Sequence, residues 1–198
     1  MGDEEKGRLL VPLDFHQEIG DGGLNRYVER GDRFIGHHDP RAAREGAGDS
    51  DLLGRYHFEA ATPGDDSSPG GTNDATLVGD AAITTDPERG DVVSLDGSGD
   101  YVEIAGLYGE PASLTLAAWV DFSGTGAAEV ISLGDRVILR VDDSLGRGVK
   151  ASFYNGSGYS QTQSGEYISG TGWHHVAYSF DDAANTQTLY IDGGRHLK

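Results

Sequence analysis

The chain has 198 residues, a formal net charge of −18 at pH 7, 36% hydrophobic residues and no cysteine. This length suffices for one large β domain with its own core, and the lack of cysteine excludes disulfides and thiol chemistry. The charge argues against a nucleic-acid binder, which needs clustered Lys and Arg at phosphates, and against electrostatic docking on anionic membranes. No apolar run approaches the ~18–20 residues of a membrane span, so no membrane insertion is expected.

The negative charge is unevenly distributed. Residues 1–50 hold 11 acidic and 7 basic residues, whereas residues 51–198 hold 22 acidic and 8 basic residues. The surplus fits a solubility role or a salty medium, or a set of carboxylates that gathers divalent cations. The start of the chain lacks the apolar core of a secretory signal. We therefore expect a processed piece, or a protein that is exported or assembled without such a signal.

Residues 1–50 are predicted to form an N-terminal arm or linker, because their apolar content is too thin for an independent core. Within this arm, residues 9–15 predict a short edge strand, since Pro12 should keep it out of the middle of a sheet. Three arrangements stay open for the arm. It packs on the following domain, it packs on a neighbouring subunit, or it is a partly ordered extension.

From Leu52 onward, short strands recur at regular intervals and no long helical pattern is present. Residues 60–74 are predicted to be a loop, and residues 92–95 are predicted to pair with residues 101–104. Residues 114–122 are apolar on both faces, which is typical of a strand covered on both sides. A meander is predicted over three further segments, namely residues 130–133, 137–141 and 149–153.

The last readable stretch predicts a β-hairpin. Residues 173–180 alternate between two faces, with His174, Val176, Tyr178 and Phe180 on the more apolar one. A polar turn follows, and the partner strand ends at the run Leu189-Tyr190-Ile191-Asp192-Gly193.

These residues resemble the late hairpin of the laminin-G-like, concanavalin-A-like jelly-roll family. Further segments of the same resemblance occur upstream in the family's order, and they cover residues 53–59, 66–77, 93–104 and 114–120. The resemblance implies an all-β fold, an antiparallel two-sheet β-sandwich over residues 51–198. It also implies further strands after the late hairpin, so we expect a jelly roll that lacks its last strands. A fragment of a longer protein is favoured over completion by the arm, where Phe34-Ile35-Gly36 is the only hint of a substitute strand.

The resemblance also implies a structural calcium ion in the loop of residues 65–74. Relatives place it at Asp-Ser-Ser and Asn-Asp positions, which here gives Asp66 and Asn73, with Asp74 and Thr72 as further ligands. Calcium takes six to eight oxygen ligands, and a Gly-rich loop lets backbone carbonyls converge. The alternative is an Asx-turn loop without a metal. Asp96, Asp100 and Asp192 also lie at strand ends, and they are better explained as turn residues than as metal ligands.

Two histidine pairs do not predict a metal site. His174 and His175 are adjacent in a strand and point to opposite faces, so they cannot readily share one ion. The cluster His37-His38-Asp39 lacks a third partner. Catalysis is not expected either, since glucanases of this fold carry three acids alternating along one strand, with carboxylates about 5 Å apart. No strand of this sequence shows that spacing.

A sugar-binding surface needs aromatic rings for stacking and amides or carboxylates for hydroxyl groups. Such a mixture occurs in the Gly- and Ser-rich stretch after residue 153, where the candidate ligand-binding residues are Tyr154, Asn155, Tyr159 and Gln161, with Gln163, Tyr167 and the separate Tyr108 as further members. The alternative is an ordinary edge-strand and loop surface.

Two functions of different classes follow. The first is a non-catalytic recognition module, extracellular or surface-exposed, that binds a glycan or a surface protein and is stabilised by calcium. The second is a structural or decoration subunit of a surface assembly such as a filament, surface layer or virus particle, docked through residues 1–50. Ordering of residues 9–39 on the chain's own sandwich would favour the first function.

Overall fold

The computed structural model describes residues 52–105, 113–124, 126–134, 136–142, 148–181, 183–184 and 186–197, together with the backbone of two strands near the N-terminus. All regular elements in these ranges are β-strands. In chain order they are β1 Leu9–Val11, β2 Leu13–His16, β3 Gly54–Tyr56, β4 Ala75–Val78, β5 Ala82–Asp86, β6 Gly90–Leu95, β7 Tyr101–Ile104, β8 Ser113–Phe122, β9 Ala127–Leu133, β10 Val137–Asp142, β11 Gly148–Tyr154, β12 Tyr159–Gln163, β13 Trp173–Asp181, β14 Thr186–Ile191 and β15 Gly194–Leu197.

The strands form two principal antiparallel sheets. The larger has nine strands in the order β15-β14-β13-β8-β1-β6-β5, with β2 paired to β8 and β3. The second has four strands in the order β12-β11-β10-β9, and β4 pairs with β7 in a separate ribbon. The predicted all-β, antiparallel sandwich is therefore confirmed.

The core lies between the two sheets. β8 and β13 contribute alternate residues from the larger sheet, and β10 and β11 contribute alternate residues from the smaller one. The fully buried members include Leu116, Val120, Val176, Leu139 and Val149. Each such side chain contributes about 1.5–3 kcal/mol of burial free energy. The period-2 pattern thus leaves one face of each sheet outside the core.

A polar bridge crosses the core edge between the sheets. The Tyr178 hydroxyl donates to Gln187 Oε1 at 2.8 Å, and Gln187 Nε2 donates to Ser160 Oγ at 2.6 Å. Burial raises the pKa of Tyr178, so this phenol stays neutral and keeps donating. On the same side of the core, Phe153 stacks on Phe180 with ring centroids 5.3 Å apart. These contacts fix β11 and β12 against β13 and β14.

The meander and the late hairpin are confirmed. β9, β10 and β11 pair in sequence, and β13 pairs with β14 from Val176↔Ile191 to Asp181↔Thr186. The hairpin then continues into β15 through the two-residue turn Asp192-Gly193, whose φ angles of 49° and 79° match a type I′ turn. This last strand was not predicted from the sequence.

The predicted pairing of residues 92–95 with residues 101–104 is wrong. In the structure β6 pairs with β5 and β1, while β7 pairs with β4. The short intervening turn suggested a hairpin, but each strand has a more distant partner. Hairpin patterns identify strands more reliably than they identify the partner when several strands compete.

The N-terminal strand is also not at a sheet edge. β1 pairs with β6 on one side and β8 on the other, and β2 lies between β3 and β8. The sequence has Pro12 between β1 and β2, where the neighbour on one side changes from β6 to β3. The edge prediction was wrong because the strands before and after Pro12 each have partners on both sides. The possible strand at residues 34–36 lies outside the described residues.

Gly148 and Gly90 provide a matched test of backbone geometry, since each begins a strand with a positive φ angle, 63° and 75° respectively. A Cβ atom at Gly148 would overlap the carbonyl oxygen of Glu166, whereas one at Gly90 would meet no atom within 4 Å. We expect Gly90→Ala to cost about 1–2 kcal/mol through the left-handed conformation alone. Gly148→Ala should cost more, because the Glu166 segment must also move.

Urea denaturation of both variants measures this difference in unfolding free energy. Equal losses in the two variants would contradict the packing of residues 164–166 against the start of β11.

Candidate functional site

The tip of the β11–β12 hairpin carries an aromatic pair. Tyr154 and Tyr159 face each other in the strand register, and their rings form an edge contact with centroids 5.3 Å apart. Phe153 points into the core, so Tyr154 points to the outer face of the four-stranded sheet. Tyr159 is 47% exposed, and the Arg136 guanidinium lies 5.4 Å from the Tyr154 ring centroid. The structure therefore joins two predicted ligand residues into one surface feature.

Gln161 and Gln163 extend this feature along β12. They alternate with Thr162, which is buried, so they share the outer face with Tyr159. In the register, Gln161 lies opposite Ser152 and Gln163 lies opposite Lys150. The outer face at this edge is thus a polar strip that begins at the tyrosine pair. Tyr167, 61% exposed, lies on the segment after β12, and Tyr108 lies outside the described residues.

Asn155 occupies the loop between the two tyrosines. Its Oδ1 accepts hydrogen bonds from the N–H groups of Ser157 and Gly158, at 3.1 and 3.0 Å, and from the Ser157 hydroxyl at 3.1 Å. This is an Asx turn, which stabilises the hairpin tip locally. The amide oxygen of Asn155 is therefore engaged in the loop itself.

The loop predicted to bind calcium is organised around Asp66, which is only 9% exposed. Its Oδ1 accepts the N–H groups of Arg55 and Ser68, at 3.1 and 3.0 Å, and its Oδ2 accepts that of Asn73 at 3.4 Å. Burial alone would raise the pKa of Asp66, but the hydrogen bonds from Ser68, Arg55 and Asn73 outweigh it and lower the pKa below 3.8. These contacts suit a carboxylate that holds its own loop closed.

Two other predicted calcium ligands, Asp74 and Asn73, also make hydrogen bonds around Asp66. Asp74 Oδ1 accepts the Asp66 N–H group at 3.1 Å. Asn73 donates from Nδ2 to the Leu53 carbonyl at 3.4 Å, and its own carbonyl accepts the Tyr56 hydroxyl at 2.6 Å. Thr72 is exposed. Backbone N–H groups, rather than further oxygens, thus point at the central carboxylate.

A second acidic cluster was not predicted. Asp80, Asp96 and Asp100 place carboxylate oxygens within 4.8 Å of one another, where the β4–β5 turn meets the β6–β7 turn. Asp96 accepts the Ser98 N–H group at 2.7 Å, and Asp100 accepts those of Asp96 and Gly97. Asp96 and Asp100 were predicted to be turn residues, which they also are. Asp80 was missed because it joins them only through the fold.

The outer face of the nine-stranded sheet carries a different group of side chains, which we call the Trp119 cluster. The Arg89 guanidinium carbon lies 3.3 Å from the Trp119 ring centroid and 5.9 Å from that of Trp173. His175 contacts the Trp119 ring edge-on, with centroids 5.2 Å apart. Burial lowers the pKa of Arg89, although the nearby negative charges of Glu88, Asp86 and Asp192 act to raise it. This stacking fixes the β5–β6 turn over the sheet.

The adjacent His174 makes a separate hydrogen-bonded chain. Its Nδ1 lies 2.7 Å from Asp192 Oδ2, and its Nε2 lies 2.7 Å from Thr171 Oγ1. The Thr171 hydroxyl also donates to the Ile168 carbonyl at 2.7 Å. The order of groups is that of a hydroxyl–histidine–carboxylate triad, but the hydroxyl proton is directed at a carbonyl rather than at the histidine. The chain therefore links β13, the β14–β15 turn and the preceding loop.

The strand pairing defines an antiparallel β-sandwich with polar and aromatic side chains on its outer faces. Comparison with family models identifies the family: Laminin_G_3, described as the concanavalin A-like lectin/glucanases superfamily, matches residues 96–196, just over half of the chain. The chain belongs to this family. The searches of curated proteins and of solved structures found no match.

Membership of this family gives a coarse description of function. Laminin-G-like domains are carbohydrate- or protein-binding modules, generally non-catalytic and typically extracellular, and they often bind calcium; the wider superfamily also includes glycosidases. None of the described residues belongs to a helix long and apolar enough to cross a membrane.

Asp66 should confer a pH-dependent stability. Because its pKa is lowered on folding, its contribution is complete above the unfolded value of about 3.8 and is lost as the pH falls through the lowered folded value. Asp66→Asn should cost about 1–3 kcal/mol at pH 7, since an amide nitrogen would face the donating groups.

The measurement is urea denaturation from pH 7 to pH 2.5, with Asp65→Asn as the matched control because Asp65 is exposed. The stability of wild type should fall more steeply below pH 4 than that of Asp66→Asn. Parallel curves for the two proteins would contradict this role of the carboxylate.

Proposed function

We propose that this protein is a non-catalytic recognition module that binds a glycan through the tip and outer face of the β11–β12 hairpin. The observation that supports this function best is the Tyr154–Tyr159 pair, in which Tyr159 is exposed and Tyr154 is half-buried, with Gln161 on the same face. The two tyrosines offer ring surface for the apolar face of a sugar, and the amide offers both a donor and an acceptor for hydroxyl groups. The acidic remainder of the domain disfavours a polyanionic ligand.

The position of the N-terminal strands supports recognition over an assembly role. β1 and β2 complete the sheet of their own chain by pairing with β6, β8 and β3. A segment that is already inserted between its own strands is less suited to dock on a neighbouring subunit. The remainder of the arm lies outside the described residues. A decoration subunit therefore stays the alternative function, and extracellular or surface exposure is part of both proposals.

Calcium stabilisation belongs to the same proposal, with two candidate sites. One is the predicted set Asp66, Asn73, Asp74 and Thr72. The other is the cluster of Asp80, Asp96 and Asp100, whose carboxylate oxygens are hard ligands that suit calcium. These carboxylates repel one another by about 1 kcal/mol per pair in water, and a bound cation would relieve that repulsion. The cluster is favoured, because three carboxylates there each place an oxygen within 4.8 Å of the others. Carboxylates at both candidate sites accept backbone N–H groups.

The aromatic pair should carry the glycan affinity. We expect Tyr159→Ala to weaken binding of any glycan selected on an array by about tenfold, equivalent to ~1.4 kcal/mol, because half of the stacking surface is lost. Tyr101→Ala is the matched control, since Tyr101 on β7 is 50% exposed but lies in a different sheet. Isothermal titration calorimetry measures both affinities.

Equal affinities for wild type and Tyr159→Ala would show that the hairpin is not part of the binding site. If folded protein binds no glycan on the array, glycan recognition is contradicted and the assembly role is favoured.

Calcium should raise the thermal stability of the protein. An ion present at 100 times its dissociation constant adds about 2.7 kcal/mol to the unfolding free energy. Calorimetry in calcium and then in EDTA should show a higher melting temperature with the ion. Asp96→Asn should abolish this increment while Asp66→Asn retains it, if the three-aspartate cluster is the site.

The reverse result would place the ion in the loop of residues 65–74. The absence of an increment in wild type would contradict calcium binding altogether.

A further inference from the structure

The Asx turn at the hairpin tip coincides with a second sequence pattern. Asn155-Gly156-Ser157 is an Asn-x-Ser triplet with a residue other than proline in the middle. Asn25, Asn73 and Asn185 have no Ser or Thr two positions later, so this triplet is the only one in the chain. Asn-x-Ser/Thr is the acceptor pattern for N-linked glycosylation of exported proteins.

The orientation of the Asn155 amide suits this chemistry. Two backbone N–H groups, of Ser157 and Gly158, approach one amide atom within 3.1 Å. Because these groups can only donate, the atom that faces them must be the oxygen. Nδ2 therefore points away from the loop, and it has no hydrogen-bond partner among the residues that the structure describes. The Ser157 hydroxyl donates a hydrogen bond to the same oxygen, so the side chains of Asn155 and Ser157, the two defining residues of the triplet, are in direct contact.

The surroundings leave room for a sugar at this atom. Asn155, Gly156 and Ser157 are exposed. A Cβ atom built on Gly156 or Gly158 would meet no other atom within 4 Å, so the space beside the tip is open. The flanking Tyr154 and Tyr159 rings lie at the base of the loop, and Tyr154 is held there by a hydrogen bond from its hydroxyl to the Gly156 carbonyl at 3.0 Å. The first sugar of an attached chain would lie beside an aromatic surface.

We propose that Asn155 is a modification site that carries an N-linked glycan. The donor is an oligosaccharide bound through C1 to a lipid phosphate or diphosphate. Nδ2 attacks C1, the new N–C1 bond forms as the C1–O bond to the phosphate breaks, the lipid phosphate leaves with the bonding electrons, and one amide proton is lost to a base of the transferase. Oδ1 stays free to keep its three hydrogen bonds, so the modification preserves the turn.

This site lies next to the proposed glycan-binding face but does not depend on it. An attached glycan would cover the tyrosine pair and restrict access to the outer face of β12. Two residues of the predicted ligand set, Asn155 and Tyr159, then have separate roles, one as attachment point and the other as stacking surface. Modification would control whether the binding face is available to a free ligand.

The test is peptide mass mapping of the full chain purified from its native cells and from a secretory host that glycosylates Asn-x-Ser/Thr triplets. Ser157→Ala and Ser157→Thr are the matched variants in that host. Ser157→Ala removes the acceptor pattern but keeps both backbone hydrogen bonds to Asn155, and Ser157→Thr preserves the pattern. Circular dichroism and melting temperature confirm that both variants fold as wild type does.

We expect a glycan mass on the peptide containing Asn155 in the native protein, in the secreted wild type and in Ser157→Thr, and none in Ser157→Ala. An unmodified Asn155 in the native protein would overturn the proposal, as would modification that persists in Ser157→Ala. The glycan array described above uses chain made in a host without this pathway. A blank array therefore affects only the recognition function, and an unmodified peptide affects only the attachment site.

Discussion

Burial of alternate side chains of β8 and β13 against the four-stranded sheet is the interaction on which the rest of the structure depends. β8 pairs with β13 from Ser113 to Asp121 and with β1 and β2 on its other edge. Its inward residues Leu116 and Val120 are fully buried. Because adjacent residues in a strand point to opposite faces, fixing these inward positions also fixes Trp119 and Asp121 on the outside. The side chains on the outer face of this sheet are therefore set by the register of the core.

The same constraint separates two kinds of surface. The outer face of the nine-stranded sheet holds the Trp119 cluster, in which cation–π stacking and edge contacts tie the β5–β6 turn to β8 and β13. The four-stranded sheet instead carries the tyrosine pair at its β11–β12 hairpin. The Arg89 guanidinium covers the Trp119 ring, whereas Tyr159 is 47% exposed even though its ring contacts Tyr154. This difference is the reason why the hairpin, rather than the Trp119 cluster, is the proposed binding face.

The acidic residues show how one residue type serves different purposes. Asp66 accepts three backbone N–H groups and closes its loop, which lowers its pKa. Asp192 occupies the β14–β15 turn and also bonds His174. Asp80, Asp96 and Asp100 are brought together from two turns and repel one another unless a cation intervenes. Composition alone cannot distinguish these cases, since each depends on the donors that the fold places nearby.

The sequence by itself determined most of the strands and the fold class, although β15 was not predicted. Alternation in residues 173–180 and the meander over residues 130–153 are local patterns, and local pleating alone decides which of their side chains turn inward. The candidate residues Tyr154, Tyr159 and Gln161 could be found for the same reason, since they lie within one hairpin. Only the tertiary structure decided the pairing of β6 with β1, the central position of β1 and β2, and the meeting of Asp80 with Asp96 and Asp100. These contacts join segments whose partners are chosen by competition among many similar strands, and that competition is resolved only when the whole sandwich closes around its core.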